Sequence, residues 1–300
     1  MSSAIANRLA CVKAVLRGTE EVKHVSLTEG IQSVLRWYGV NRFLTTRRLK
    51  VTRIDNRLDW ISLGPYGVAW PTGRPLPRLV GALVELWAPS NSHFYFSEGT
   101  EVHEGDDVID VGACEGSFAL ECLVKHKAAN VWCFEPDESM CHALEVTAER
   151  NGMAEKLHIF FGAVSRVSGA VRFLEDSRDL MASHVVDYSP SSEKEPLSTN
   201  LKIVASTSLD DWANETGLKK LDFLKIDAEG SDLDVLKGAK GCLERWRPSI
   251  AVTTYHHPNH CNEMVEYLTS LRLGYQFDVK GVISFDSIPR PHMLHAARND

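Results

Sequence analysis

Short apolar runs alternate with amphipathic segments along the last two thirds of the chain. The runs have the length of buried strands, and each is followed by apolar residues at helical spacing. The runs occupy residues 108–111, 131–134, 157–161, 221–226 and 250–255. Strands that alternate with helices form a parallel sheet with right-handed crossovers. Two late runs, at 275–279 and 293–296, predict two more strands after the last helix.

The first hundred residues have a different pattern. Helical spacing extends to about residue 38, and short strands with turns are predicted over residues 49–70. A stretch rich in proline and glycine then precedes a predicted helix at 79–87. The composition changes near residue 100, which predicts an accessory or cap region over residues 1–100 and an α/β domain over residues 101–300.

A polar run rich in Ser, Asp and Glu interrupts the α/β pattern from Asp176 to Thr199. Apolar residues at 171–174 and 203–206 flank it and predict two extra strands. The run itself is typical of a mobile loop or lid over a site, or of a disordered insertion.

Composition and charge narrow the function classes. The formal charge of −7 gives no overall attraction for nucleic acid or an anionic membrane, and 44% apolar residues fit a globular protein. The seven cysteines form no C-x-x-C pair, which favours small core residues in a reducing compartment. No apolar run is long enough for a membrane span. We therefore expect a cytoplasmic enzyme that acts on a small molecule, with no nucleic-acid partner.

The first predicted strand runs into a glycine-rich turn, Val108-Ile-Asp-Val-Gly-Ala-Cys-Glu-Gly-Ser-Phe118. Gly112 and Gly116 permit a tight turn and a close approach of backbone to ligand. Asp110 and the glycines are spaced D-x-G-x-x-x-G, which differs from the G-x-G-x-x-G of dinucleotide sites and resembles the cofactor loop of S-adenosylmethionine (SAM) methyltransferases. The predicted cofactor residues of this segment are Asp110, Gly112, Ala113, Glu115, Gly116 and Ser117.

The second strand ends in Phe134-Glu-Pro-Asp137. Glu135 lies roughly 20 residues after the glycine loop, where nucleotide-binding βαβ units place the acid that binds the ribose hydroxyls. Glu135 and Pro136 are therefore predicted at the cofactor, whereas Asp137 is predicted to cap the next helix.

Asp227 and Glu229 follow the fourth strand, at the sheet edge where α/β proteins bind ligands. Two acids there could hold an amine, orient a hydroxyl, accept a proton or ligate a cation. Gly230 and Ser231, with Asp234 three residues on, resemble a capping box at the start of the next helix.

The fifth strand ends in Thr253-Thr-Tyr-His-His-Pro258, with His260 close behind. A histidine at this edge could deprotonate a hydroxyl at neutral pH, so His256 and His257 are candidate bases beside Asp227. A solvated histidine-rich loop is the alternative. We expect no metal site, because the histidines and acids show no ordered ligand spacing.

Taken together, these motifs resemble the FkbM family of SAM-dependent methyltransferases over about residues 95 to 298. Further matching segments are Leu209-Asp-Asp-Trp212, Val235-Leu-Lys-Gly-Ala239 and Arg290-Pro-His-Met-Leu-His-Ala296. The resemblance implies a class I methyltransferase Rossmann-like sheet, mostly parallel with a terminal antiparallel hairpin, here with an N-terminal α+β extension. It also implies SAM as cofactor, with Asp110 and both glycines at its methionine end, Glu135 at its ribose and Asp227 near the transferred methyl.

The family usually methylates an oxygen of a sugar, glycolipid, polysaccharide or polyketide-type metabolite. We therefore expect an O-methyltransferase with a small-molecule or glycan acceptor, and a homodimer is compatible with the sequence. The family often has an acid where this chain has Tyr255-His-His257. N-methylation and a nicotinamide-dependent oxidoreductase on a related sheet are the alternatives, as is a binding protein that has lost catalysis.

Overall fold

The computed structural model describes residues 3–35, 49–174, 184–186, 201–284 and 288–298. The strands in chain order are β1 (Lys50–Arg53), β2 (Leu58–Ser62), β3 (Gly67–Pro71), β4 (Asp107–Val111), β5 (Asn130–Glu135), β6 (Leu157–Phe161), β7 (Ala163–Val164), β8 (Gly169–Leu174), β9 (His184–Val186), β10 (Leu201–Thr207), β11 (Phe223–Ile226), β12 (Ser249–Thr253), β13 (Gln276–Ile283) and β14 (Arg290–Ala297). The helices are α1 (Ser3–Arg17), α2 (Leu27–Leu35), α3 (Leu76–Trp87), α4 (Ser117–Val124), α5 (Glu138–Arg150), α6 (Leu209–Thr216), α7 (Asp232–Gly238), α8 (Lys240–Trp246) and α9 (His260–Ser270).

Seven strands form the central sheet, in the order β6-β5-β4-β11-β12-β14-β13. The first five of these are parallel, β14 is antiparallel to β12, and β13 is antiparallel to β14. The prediction of a mostly parallel sheet with a terminal antiparallel hairpin is confirmed. The strand order reverses between β4 and β11, so the carboxyl ends of these two strands form the crevice in which such sheets bind ligands.

Alternate residues of the central strands pack into two separate apolar clusters. Val108 and Phe223 belong to one cluster, whereas their chain neighbours Ile109 and Leu224 belong to the other. All four are fully buried. This is expected because successive strand residues point to opposite faces, and a parallel sheet is covered by helices on both faces.

The N-terminal region packs directly against the central sheet and its helices. Strands β1, β2 and β3 form an antiparallel sheet, and Trp70 of β3 and Leu79 and Leu83 of α3 share one apolar cluster with Phe118 of α4. In addition, the Thr147 hydroxyl of α5 accepts a hydrogen bond from the Ala69 N–H at 2.8 Å. The predicted short strands are confirmed, and residues 50–87 contribute to the core of the α/β region.

A second sheet contains the two predicted extra strands. Its order is β7-β10-β8-β9, with β8 and β10 antiparallel. The predicted polar loop from Asp176 to Thr199 lies outside the described residues, except for the short strand β9. Within the described parts of the chain, no helix is both long enough and apolar enough to cross a membrane.

Candidate active site

The glycine loop after β4 lies against the end of β11. Gly112 has a φ of +76°, and a Cβ added there would stand 1.9 Å from the backbone oxygen of Asp227. Gly116 has a φ of +83°, and its Cβ would meet Leu144 at 2.4 Å. Both positions therefore require glycine for conformation, and Gly112 also requires it for space, because its Cβ would meet backbone. The contact at Gly112 joins the predicted cofactor loop to the predicted acid.

Asp110 faces a buried partner. It pairs with Lys225 of β11, whose Nζ lies 2.9 Å from its carboxylate, and both side chains are almost fully buried. Lys225 also donates to the Gly112 carbonyl at 2.7 Å. Burial by itself lowers the pKa of Lys225, but the carboxylates of Asp110 and Asp227 raise it above its ordinary value. Asp110 thus holds the lysine that supports the glycine loop, whereas the sequence prediction placed it on the cofactor.

Sequence reasoning missed Lys225, although a signal was available. A lysine inside a four-residue strand that is otherwise apolar needs a buried partner. In the sheet register Lys225 lies opposite Asp110, so the pair follows once β4 and β11 are known to be neighbours.

Glu135 is buried at the end of β5 and is turned towards the glycine loop. One carboxylate oxygen accepts the N–H of Cys114 and the other accepts the N–H of Asp137, both at 2.8 Å. Burial raises the pKa of Glu135 to about 7, although the two backbone hydrogen bonds oppose this rise. Asp137 accepts the N–H groups of Ser139 and Met140, so its predicted role as a helix cap is confirmed.

Two clefts flank the glycine loop. The first, here called the Glu135 cleft, has about 770 Å³ and is lined by Glu135, Pro136, Phe173 and Glu229 among others. The second, the Trp70 cleft, has about 780 Å³ and is lined by residues that include Trp70, Tyr95, Ala113, Glu115 and Ser117. Gly112, Cys114 and Asp227 line both clefts, and Asp110 lines neither.

Asp227 receives hydrogen bonds from two different parts of the chain. The Tyr95 hydroxyl donates to one of its oxygens at 3.0 Å, and the Thr253 hydroxyl donates to the other at 3.2 Å. The buried His93 lies 3.8 Å from Asp227 and 2.9 Å from Glu85. Burial lowers the pKa of His93, but Glu85 and Asp227 together raise it above its ordinary value. Tyr95 and His93 belong to the region before residue 100, and nothing in their sequence context pointed to this site.

His256 is held between carboxylates. Its Nδ1 lies 2.9 Å from Asp232, and its Nε2 lies 3.3 Å from Glu229 and 3.9 Å from Asp227. Burial lowers the pKa of His256, but Asp232, Glu229 and Asp227 raise it well above its usual value. The three carboxylates therefore favour the protonated imidazole, whereas a general base must be neutral.

Glu229 is held close to His256 by an unusual backbone. Its φ is +48°, which is uncommon for a residue with a side chain. Burial raises the pKa of its carboxyl, while the contact with His256 lowers it less strongly. Left-handed residues other than glycine occur preferentially at functional sites.

The other two histidines lie further out. His257 is exposed and is in edge contact with His260, with ring centroids 4.7 Å apart. Burial lowers the pKa of His260 to about 4, and its Nδ1 lies 3.9 Å from Asp232. Of the two predicted bases, His256 is thus the one that the structure brings next to Asp227.

The predicted capping box at Ser231 and Asp234 is wrong. The Ser231 side chain makes no capping hydrogen bond, and Asp234 pairs with Arg166 on the surface. Asp232 binds the backbone before this helix instead. Its buried carboxylate accepts the N–H groups of Ala228 and Gly230 at 2.7 and 3.1 Å. Asp232, which the predicted capping pattern did not include, therefore holds the loop that carries Asp227 and Glu229.

Two curated proteins have sequences similar to this chain. The 2-O-methyltransferase NoeI of Sinorhizobium fredii is 28% identical over 153 residues, which cover 47% of this chain and 60% of that protein. The hexuronic acid methyltransferase AglP of Haloferax volcanii is 26% identical over 204 residues, or 65% of this chain and 79% of that protein. The match to the first relative thus spans less than two thirds of its length.

A solved structure, the methyltransferase FkbM from Methylobacillus flagellatus, is 22% identical and aligns with a TM-score of 0.49 over 68% of this chain and 47% of its own. The sequence model of the Methyltransferase FkbM domain matches residues 110–277, which is more than half of the chain. The matched segment begins at Asp110 and contains Glu135, Asp227 and both candidate histidines. The chain therefore belongs to the FkbM methyltransferase family.

Proposed function

We propose that this protein transfers the methyl group of SAM to a hydroxyl of a sugar, either free or within a glycan. The observation that carries the proposal is the position of Asp227, which lines both clefts and lies within 3.9 Å of His256. The printed names of the two relatives support a sugar acceptor, since one is a 2-O-methyltransferase and the other modifies a hexuronic acid. The family membership argues against the nicotinamide-dependent alternative.

The residues around the glycine loop fit SAM. Each Glu135 oxygen accepts one backbone N–H and keeps acceptor capacity for the ribose hydroxyls. Gly112 leaves no room for a side chain, so backbone alone would face the ligand there. We therefore assign the nucleoside half of SAM to the Glu135 cleft and the methionine half to the Trp70 cleft, beside Ser117 at the first turn of α4.

With the cofactor placed in this way, Asp227 lies where the transfer would occur. The bound cofactor supplies a methyl group already activated on a sulfonium. The acceptor oxygen forms a bond to the methyl carbon as the carbon–sulfur bond breaks, and the hydroxyl proton must pass to a base. Asp227 lines both clefts, so we assign the proton to Asp227, with Tyr95 and Thr253 fixing the carboxylate. Positioning supplies much of the remaining rate.

A labelled-methyl assay tests the proposal. Methyl-labelled SAM is incubated with hexoses, deoxyhexoses, hexuronic acids, their oligosaccharides and a set of amines, and NMR identifies the methylated atom. We expect transfer to one sugar hydroxyl and, for D227N, a turnover lower by about 10²–10⁴-fold, the usual contribution of a general base. D234N changes an exposed carboxylate of α7 and is the matched control.

Binding of S-adenosylhomocysteine, measured by calorimetry, keeps the two halves of the proposal separate. Binding without transfer to any sugar, or transfer to an amine, would reject the sugar hydroxyl as acceptor. Unchanged turnover in D227N would reject the assignment of the base. We also expect H256Q to slow turnover more than H257Q, because only His256 lies against Asp227 and Glu229.

A further inference from the structure

Asp227, Glu229 and His256 bring three ligand atoms together at the carboxyl ends of β11 and β12. One donor atom of each residue lies within 4.8 Å of the other two. The side chains of Asp227 and Glu229 are 11% and 24% exposed, so the cluster is accessible from a cleft without being fully solvated. Sequence spacing predicted no metal site, because the donors come from two separate strand ends.

A hydrogen bond on the side away from the cluster fixes the orientation of the His256 ring. Its Nδ1 is hydrogen-bonded to Asp232 at 2.9 Å, and Asp232 is fully buried. The Thr253 hydroxyl, 3.0 Å from Asp232 and 3.2 Å from Asp227, ties the two carboxylates together. In protein metal sites a histidine ligand commonly donates its second ring nitrogen to a carboxylate in this way, which fixes the other nitrogen for the metal.

The nitrogen that faces the cluster is without a hydrogen-bond partner among the described residues. The His256 side chain is nine-tenths buried, and its Nε2 makes no hydrogen bond although Glu229 is 3.3 Å away. A buried polar nitrogen is normally hydrogen-bonded, so this one calls for an explanation. Three carboxylates surround this single imidazole, and such an excess of buried negative charge favours a cation.

We propose that Asp227, Glu229 and His256 bind one divalent transition-metal ion, for which Mn²⁺ is the best match. The ion would take the place of the proton on the His256 Nε2, because a histidine ligand is neutral. Carboxylate oxygens suit Mn²⁺ and imidazole suits first-row transition metals, so the mixed set selects against Ca²⁺. Ligand atoms at about 2.1 Å from one ion are at most about 4.2 Å apart. The distances of 3.3 and 3.9 Å from Nε2 to the two acids meet that limit, and the facing oxygens of Asp227 and Glu229 lie within 4.8 Å of each other.

The ion would leave coordination positions open, since the protein supplies three ligands. An acceptor hydroxyl could occupy one of them, and a bound cation lowers the pKa of such an oxygen. Asp227 would bind the ion through the oxygen near His256 and keep its second oxygen, which Tyr95 contacts, for the proton. This role in catalysis rests on the proposed function, whereas binding of the ion does not.

Titration of the untagged, chelator-treated protein with Mn²⁺, followed by electron paramagnetic resonance and calorimetry, tests the site. We expect one ion per chain in the wild type and in D234N. E229Q and H256Q should each weaken binding at least about 10-fold, since even loss of an outer-shell partner has that effect. Circular dichroism checks that each variant is folded. If H256Q is not folded, E229Q alone tests the site.

Absence of Mn²⁺ binding in the wild type, or equal affinity in E229Q and D234N, would overturn the site. Methyl transfer to a sugar at full rate in EDTA, together with no Mn²⁺ binding, would reject the metal and leave the proposed function standing. Mn²⁺ binding that depends on Glu229 and His256, without transfer to any sugar, would support the site and reject the acceptor.

Discussion

The buried pair of Asp110 and Lys225 leads to a prediction about both stability and cofactor binding. Replacing Lys225 by Met removes the cation and leaves the Asp110 carboxylate buried without its partner. Breaking a buried ion pair in this way costs about 3–5 kcal/mol of unfolding free energy. The Gly112 carbonyl also loses its bond from Lys225, which adds about 1 kcal/mol. We therefore expect K225M to lose about 4–6 kcal/mol.

The double variant D110N/K225M shows whether Asp110 and Lys225 stabilise the fold as a pair or independently of each other. It removes both charges, and replacing both members of a buried pair is often nearly neutral. We expect it to be more stable than the sum of the single changes predicts, by about 2–4 kcal/mol. Urea unfolding followed by circular dichroism measures all four proteins. The exposed pair of Arg166 and Asp234 is the control, since R166M should cost less than about 1 kcal/mol.

The same four proteins decide how Asp110 acts on the cofactor. If it acts only by holding Lys225 under the glycine loop, D110N has no further effect on S-adenosylhomocysteine affinity once Lys225 is Met. If it contacts the cofactor, as the sequence suggested, D110N weakens binding equally in both backgrounds. Additive effects on stability, within about 0.5 kcal/mol, would refute the reasoning about the pair itself.

Three further predictions concern the cofactor site and its support. Because burial raises the pKa of Glu135 to about 7 and the ribose needs the ionised carboxylate, S-adenosylhomocysteine should bind about tenfold more weakly at pH 6 than at pH 8. E135Q should bind weakly at both values, and a flat wild-type profile would contradict the assignment. G112A should be about 1–3 kcal/mol less stable than G105A, because both need a positive φ but only the first meets the Asp227 oxygen; equal losses in urea unfolding would reject the contact. A fragment of residues 101–300 should fail to fold when assayed by circular dichroism, since it lacks its share of the apolar core, whereas a cooperative transition would make residue 100 a folding boundary.

The sheet could be predicted from the sequence because its strands are buried on both faces. Each strand is a short, nearly continuous apolar run, and the chain ends each run at the same edge of the sheet. From that edge alone the sequence predicted Glu135 beside the glycine loop and Asp227 near it. This prediction needs only local sequence, because each acid directly follows a predicted strand.

The rest of the site depends on contacts between distant parts of the chain. The hydrogen-bonded residues Tyr95 and Asp227 are 132 positions apart in the sequence, and Asp232 and His256 are 24 positions apart. No periodicity encodes such contacts, so the sequence could not show that the N-terminal region supplies a side chain to Asp227. It also could not show that His256 is held by three acids, the arrangement on which the proposed metal site rests.

The position of Gly112 explains why the cofactor loop and the acid cluster act as one unit. Its Cα lies so close to the Asp227 carbonyl that no Cβ fits between the two loops. On the other side, Thr253 binds Asp227 and Asp232 together, and Asp232 orients His256. A displacement of the glycine loop towards Asp227 must therefore move this residue as well. In the proposed reaction, methyl transfer depends on placing the acceptor oxygen in line with the methyl. The backbone contact fixes Asp227 relative to the cofactor loop without any flexible side chain between them.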